Sequence, residues 1–259
     1  MPARSLEPTT QTVATDSPKQ PHSEPLSFET KVYSASELLT QPWLPALTRA
    51  VNEGFSTNSG SISFAQRLSS DIQLSEELGE TGFTAIAFAS QPQHSDQTCD
   101  DYDHRDEVDI IGTASVKGWV NDRDWLPYPP PTTSPESSGL DGANGNGYAI
   151  TEATREQDPC NGDYEIALVT IKPGANYRKR GIAESLIMAC ERELVRRLTL
   201  QADKRASIKI MVKVVKEING PYWLKKGFMT VGQKLSPKGT WGSFQEFTMW
   251  AMMRELPIE

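Results

Sequence analysis

Histidine and cysteine are scarce in this 259-residue chain, with three of each, and the scarcity removes several chemistries at once. His22, His94 and His104 all lie in polar stretches, and no Cys/His spacing matches a metal site. Ser-His and Cys-His nucleophilic pairs lose their base for the same reason. An odd, small number of cysteines gives no disulfide framework. Cys99 and Cys160 fall in polar segments, and Cys190 falls on an apolar helix face. A reduced compartment is therefore expected, either cytoplasm alone or cytoplasm and nucleus. Also missing is any apolar run approaching the ~20 residues that span a bilayer. The N-terminus lacks the charged-then-apolar order of a secretory signal. Acidic residues outnumber basic ones by 34 to 26, a net charge of −8, which suits neither a nucleic-acid duplex nor an anionic membrane. Neither is an expected partner.

The chain divides unevenly. Residues 1–27, rich in Pro, Ser, Thr and Gln, read as a disordered tail. Ser27 to Ser34 has strand character, and Ser36 is placed to cap a helix through Leu38, Leu47 and Val51, with Pro42 and Pro45 confining its early turns. A second amphipathic helix is expected from Phe64 to Leu78, stopped by Gly79. Strands follow at 81–90 and 108–120, separated by the acidic segment 91–107. A second insertion, 121–162, carries three prolines at 129–131 and a Gly/Asn-rich stretch. Tyr164 to Lys172 is a strong strand. A helix from Lys179 to Leu200 follows, with Ile182, Leu186, Met188, Cys190, Leu194 and Leu198 in its apolar stripe. A strand at 208–215, a short helical turn at 222–225, and strands at 228–235 and 244–255 complete the order. The result is an α/β (α+β) fold: a mixed sheet of about seven strands flanked by about four helices.

Positive charge is concentrated at Tyr177-Arg-Lys-Arg-Gly-Ile-Ala183, between a strand and a helix. A helix start presents unpaired N–H groups and the positive end of a dipole, which suits a pyrophosphate. Gly181 allows backbone to approach a ligand without a Cβ in the way. Taken alone, the heptapeptide is equally an exposed basic first turn. The longer tract EIALVTIKPGANYRKRGIAESLI, with NGPYWLKKGFMTVG after it, resembles two motifs of the GNAT superfamily, the Gcn5-related N-acetyltransferases. The motifs span 163–235, and the element order is similar over 28–120 and 163–255. The domain is accordingly expected to run from 28 to 255 and to carry both insertions.

The resemblance implies an N-acetyltransferase that moves an acetyl group from acetyl-CoA, its co-substrate, to an amine acceptor by direct attack. That acceptor is a small molecule or a protein, and the enzyme a monomer or dimer. Backbone of Val169, Thr170 and Ile171 would bind the pantetheine arm between two splayed strands. Arg178, Lys179, Arg180, Gly181, Ile182 and Ala183 would cradle the pyrophosphate, and Asn219 would bond the pantetheine. The loop from Lys172 to Tyr177 is about two residues longer than the family pattern. Glu165 corresponds to a general base used in the family, or else it is a strand carboxylate facing solvent or an arginine. The position of the family's acid holds Trp223, so the neighbouring Tyr222 is the candidate acid, or simply packing. Trp241 and Trp250 are candidates for the acceptor pocket or for the core. Asp122, Asp124 and Trp125 could meet an incoming ammonium, and net acidity favours a cationic acceptor. A catalytically silent acyl-CoA-binding or protein-interaction module is the alternative.

Overall fold

The computed structural model describes residues 26–56, 62–90, 108–121, 124–128, 163–201 and 205–258. The expected tail and the two insertions lie largely outside these residues. Strand β1 (Phe28–Ser34) leads into helices α1 (Ala35–Leu38), α2 (Leu44–Ser56) and α3 (Gln73–Leu78). Strands β2 (Phe83–Ala89), β3 (Ile110–Gly118), β4 (Leu126–Pro127) and β5 (Tyr164–Ile171) follow. Helix α4 (Ile182–Leu200), strand β6 (Ser207–Val215), helix α5 (Lys216–Lys225), and strands β7 (Met229–Ser236) and β8 (Phe247–Pro257) complete the order. One sheet holds all eight strands in the order β1-β2-β3-β5-β6-β8-β7-β4. Every pairing is antiparallel except β5 with β6.

The expected α+β class holds, with local differences that have physical causes. The first helix is broken into α1 and α2, since Pro42 and Pro45 cannot continue a ladder through 39–45. Its cap is Ser34, not Ser36. The Ser34 backbone N–H donates to Glu37 at 2.7 Å and its hydroxyl accepts from the Glu37 N–H at 3.3 Å, a reciprocal capping box. The expected helix over 64–78 shrinks to α3, because Phe64 instead bridges Ser243 as an isolated β-pair. Conversely, the short turn expected at 222–225 is a ten-residue helix that tolerates Pro221 inside it. The eighth strand, β4, lies within the expected insertion and covers the edge of β7.

Three hydrophobic clusters form, and the two larger ones lie on opposite faces of the sheet. Helix α4 buries Ile182, Leu186, Cys190, Leu194 and Leu198 against Val116, Ile166, Val212 and Val214. Met188, expected in that stripe, is 49% exposed and stands outside it. Cys190 is fully buried, and burial pushes its thiol up to about 12, which makes it an inert packing group. On the other face α1, α2 and α3 pack Leu38, Leu47, Val51 and Leu74 against Ile86, Ile110 and Leu168. Helix α2 sits tightly on β5, where a Cβ at Gly54 would collide with the Thr170 hydroxyl.

Asn52 fixes the segment between α2 and α3. Its Oδ1 accepts from the N–H groups of Arg67 and Leu68, both at 2.8 Å, and its amide donates to the Leu68 carbonyl at 3.0 Å. Replacing Asn52 with Ala strands two part-buried N–H groups and should cost about 1–3 kcal/mol. An unchanged urea midpoint would contradict this. Glu193 offers a pH-dependent test. Hydrogen bonds from Arg196, and then Arg197, hold its carboxyl down at about 2, against an ordinary value of 4.5. A carboxylate depressed in the folded state contributes stability above its unfolded value and loses it as pH falls through the folded one. Glu193→Gln should therefore be less stable than the parent at pH 7. The gap should close as pH falls from about 4.5 to about 2, as read by thermal melts across that window.

Candidate active site

The one parallel pairing in the sheet is short. Tyr164 and Glu165 lie opposite Ile210 and Met211. Beyond them β5 and β6 continue to Ile171 and Val215, each bonded only on its outer side, to β3 and to β8. The cause lies in β5. Thr113 pairs with Thr170 and Ser115 with Ala167, so Leu168 and Val169 together face Ala114, a β-bulge. Leu168 takes φ +50 there, an uncommon conformation for a branched side chain. The extra residue also reverses the side-chain alternation. Ile166 points into the α4 core, while Leu168, two residues on, joins the opposite core. The bulge bends β5 away from β6 and opens a slot through the sheet.

Backbone from Glu165 to Val169 and from Val212 to Val215 walls this slot. Phe55, Phe64, Arg67 and Trp241 close it on the side of α2 and α3, and Asn219 and Trp223 close it on the side of α5. The inner edges of both strands carry backbone N–H and C=O groups with no strand opposite, a ready partner for an extended amide-bearing chain. At the wide end the chain turns through 172–181. Lys179 has φ +59 and Gly181 φ +77, so α4 begins at Ile182 and not at Lys179. No side chain caps that start, and the N–H groups of Ile182, Ala183 and Glu184 precede the first helical bond, Ser185 to Gly181 at 2.9 Å. Arg178 and Lys179 are exposed and Arg180 partly so. The turn is thus cationic and uncapped, and it follows the strand that walls the slot.

Glu165 is 4% exposed and lines the slot at its closed end. The Lys213 ammonium stands 3.9 Å from its Oε2. Val169 and Asn219, expected at the pantetheine, line the slot; Thr170 and Ile171 continue the same strand toward the turn. Tyr222 is not among the lining residues, and its place in the slot is taken by Trp223. The Tyr222 hydroxyl is buried with no hydrogen-bond partner among the described residues, and burial pushes its pKa up. Lys226, paired with Glu184 at 2.7 Å, lies 5.8 Å from the Tyr222 ring. Trp223 is 5% exposed and packs edge-on to Phe228 at 4.9 Å.

Trp241 reaches the slot, and Trp250 belongs to the core against Tyr128. Asp124 pairs with Lys234 at 3.0 Å, and Trp125 stacks on Trp119 at 6.5 Å, beside the slot and outside its lining. Asp122 lies outside the described residues. Among the described residues, no group of three or more His, Cys, Asp or Glu is placed to hold a metal ion, and no helix is long and apolar enough to cross a membrane. Sequence reasoning missed Arg67, Lys117 and Lys213, all of which line the slot. The signal for two of them was present. Lys117 follows a core valine and Lys213 sits between two, so strand alternation turns both to the face that Glu165 shares.

No protein-family model matches the sequence, and no curated protein matches it. Solved structures are similar in overall shape. An N-acetyltransferase from Staphylococcus aureus Mu50 aligns at a TM-score of 0.46 and 12% identity, over 88% of this chain and 97% of that one. Arabidopsis thaliana NAA60, in complex with acetyl-CoA, aligns at 0.45 and 14%, over 89% and 99%. A GNAT-family acetyltransferase from Streptococcus pneumoniae aligns at 0.45 and 10%, over 89% and 100%. The strand order, the splay beyond Glu165 and the uncapped turn before α4 are properties of this chain itself, and a splay of β5 from β6 is what the resemblance of its two sequence motifs implied.

Proposed function

We propose that the protein is an acyl-CoA-dependent N-acyltransferase that moves an acetyl group to an amine. The observation that carries this reading is the splay of β5 from β6 beyond Glu165, with an uncapped cationic turn following β5. A pyrophosphate at 178–183 would meet N–H groups, a helix dipole and three cationic side chains. A pantetheine arm extending from it would enter the gap between β5 and β6, where Val169 to Ile171 offer unpaired strand edge and Asn219 an amide. When bound, acetyl-CoA supplies an activated thioester.

The chain's own residues then position the acceptor and move its proton. Glu165 lies where the slot narrows, beside the strand backbone, and is the group to take a proton from the ammonium. The amine nitrogen bonds to the acetyl carbon, the carbon–sulfur bond breaks, the nitrogen gives up its second proton to solvent, and the thiolate takes a proton in turn. Tyr222 is the acid that the sequence suggests, yet Trp223 faces the slot. That observation favours either water as the proton source or the second reading, a silent acyl-CoA binder.

Acetyl-CoA should raise the melting temperature in proportion to the logarithm of its concentration above Kd. No shift at millimolar ligand would overturn both readings. Free-thiol release with a panel of amines separates them. Glu165→Gln should lower kcat about 100-fold, and Tyr222→Phe should leave it within about threefold if water protonates the thiolate. Ligand-induced stabilisation without turnover on any amine would select the silent binder.

A further inference from the structure

On the side away from α5, three aromatic side chains line the slot: Phe55, Phe64 and Trp241. They come from the end of α2, the segment before α3 and the turn between β7 and β8, and the backbone pins the last two together. Phe64 bridges Ser243, the Ala65 N–H donates to the Gly242 carbonyl at 2.8 Å, and the Phe244 N–H donates to the Ser63 carbonyl at 3.0 Å. Phe247 backs the wall, with its ring 5.9 Å from both Phe64 and Trp241, and Phe55 meets Phe64 edge-on at 6.5 Å. The rings form one connected surface before any ligand arrives.

Trp241 does more than fill space. Its backbone takes φ +53, an outlier for so bulky a side chain, and it lies between Gly239 and Gly242 at φ +96 and +79. Gly242 approaches the 65–66 segment so closely that a Cβ would stand 2.6 Å from the Gln66 carbonyl oxygen. The turn is thus held in a strained form that presents the indole to the slot. Trp250 is 8% exposed in the core. Trp241 instead stays partly exposed and lines both the slot and a neighbouring recess beside Ser236 and Met249. A core tryptophan needs no such turn.

The charges around the wall narrow the ligand further. Glu165 is the one carboxylate among the lining residues, and the Lys213 ammonium stands 3.9 Å from it. Arg67 is held at both ends of its guanidinium by Glu77, at 2.8 and 2.7 Å. An acceptor with a second ammonium would meet Arg67, Lys117 and Lys213 with no further carboxylate in the lining. An acceptor with a carboxylate would find Arg67 and Lys213 already paired. What the wall offers is ring surface. Resting on the acyltransferase reading, we infer that the acceptor is a monoamine whose uncharged remainder carries an aromatic ring, seated against Phe55, Phe64 and Trp241 with its amine at Glu165. The net charge of −8 draws cationic amines toward the protein without choosing among them; the wall makes the choice.

Binding of acetylated products, measured by calorimetry on the full chain with CoA present, tests this without requiring turnover. The probes are N-acetyl-2-phenylethylamine, its saturated counterpart N-acetyl-2-cyclohexylethylamine, and N-acetylputrescine. The phenyl probe should bind about 3–10-fold more tightly than the cyclohexyl one, the value of ring-on-ring geometry beyond buried area. N-acetylputrescine should bind most weakly of the three. Trp241→Ala and Phe55→Leu should each erode the phenyl preference while CoA still binds, and Trp241→Phe should keep it. If Trp241→Ala loses CoA binding as well, the turn has collapsed and Phe55→Leu decides. A phenyl probe no tighter than the cyclohexyl one, a preference for N-acetylputrescine, a phenyl preference untouched in Phe55→Leu, or no product bound at all would overturn this inference while leaving the donor reading intact. Failure to bind CoA itself would instead sink the acyltransferase reading.

Discussion

The site depends on a single defect in the sheet, the β-bulge at Leu168 and Val169. A regular parallel pairing of β5 with β6 would satisfy every backbone group between them and leave no room for a ligand. By adding one residue opposite Ala114, the bulge tilts β5 so that pairing stops after Glu165. The unpaired edges are a cost that a water-facing strand or a bound amide chain can offset. The structure tolerates that cost because both outer sides are firmly held. Nine residues of β6 pair with β8, β3 holds β5 on both sides of the bulge, and Leu168 is anchored among α1, α2 and α3. Remove the bulge and Leu168 returns to the α4 face, which is already filled.

The same defect sets where charge can act. Glu165 is the last paired residue of β5 before the gap, so its carboxylate sits at the vertex, buried and yet facing the slot. Lys213 is two residues beyond Met211, the partner of Glu165, and by alternation shares its face. The divergence of the strands thus leaves Glu165 and Lys213 3.9 Å apart where the pairing ends.

Much of this was legible in the sequence, and the rest was not for identifiable reasons. The strand YEIALVTIK and the helix after it were readable because their apolar spacing is strong and their ends carry Pro173 and Gly181. Glu165, Val169 and Asn219 were placed by family motif, and all three line the slot. The bulge was not legible. Nothing in Ala167-Leu-Val-Thr170 signals a positive φ, which tertiary packing imposes on Leu168. Ser36 was preferred to Ser34 as a cap because both are serines near the first turn, and only Ser34 has a glutamate three residues on. Arg67 was invisible because its position depends on Asn52, fifteen residues away and on another element. Met188 failed for a simpler reason: it is apolar but stands two residues from both Leu186 and Cys190, which turns it to the other side of the helix.

Trp223 poses the remaining chemical question, and magnitudes decide which proton transfer needs the protein. An amine with a pKa near ~10.4 is protonated at pH 7 in all but about one molecule in 2,500, a handicap of roughly 4.6 kcal/mol before attack begins. A thiol with a pKa near ~8.5 is a good leaving group as thiolate and recovers its proton from water over a gap of only about 2 kcal/mol. In the proposed reaction the base is therefore the indispensable partner and the acid the dispensable one. This asymmetry agrees with the arrangement of the slot. The carboxylate of Glu165 is fixed at the vertex between two strands, while the position that would hold an acid is occupied by a tryptophan packed against Phe228. The indole there is a buried ring that holds α5 against the α4 core, and so steadies the wall on which Asn219 stands.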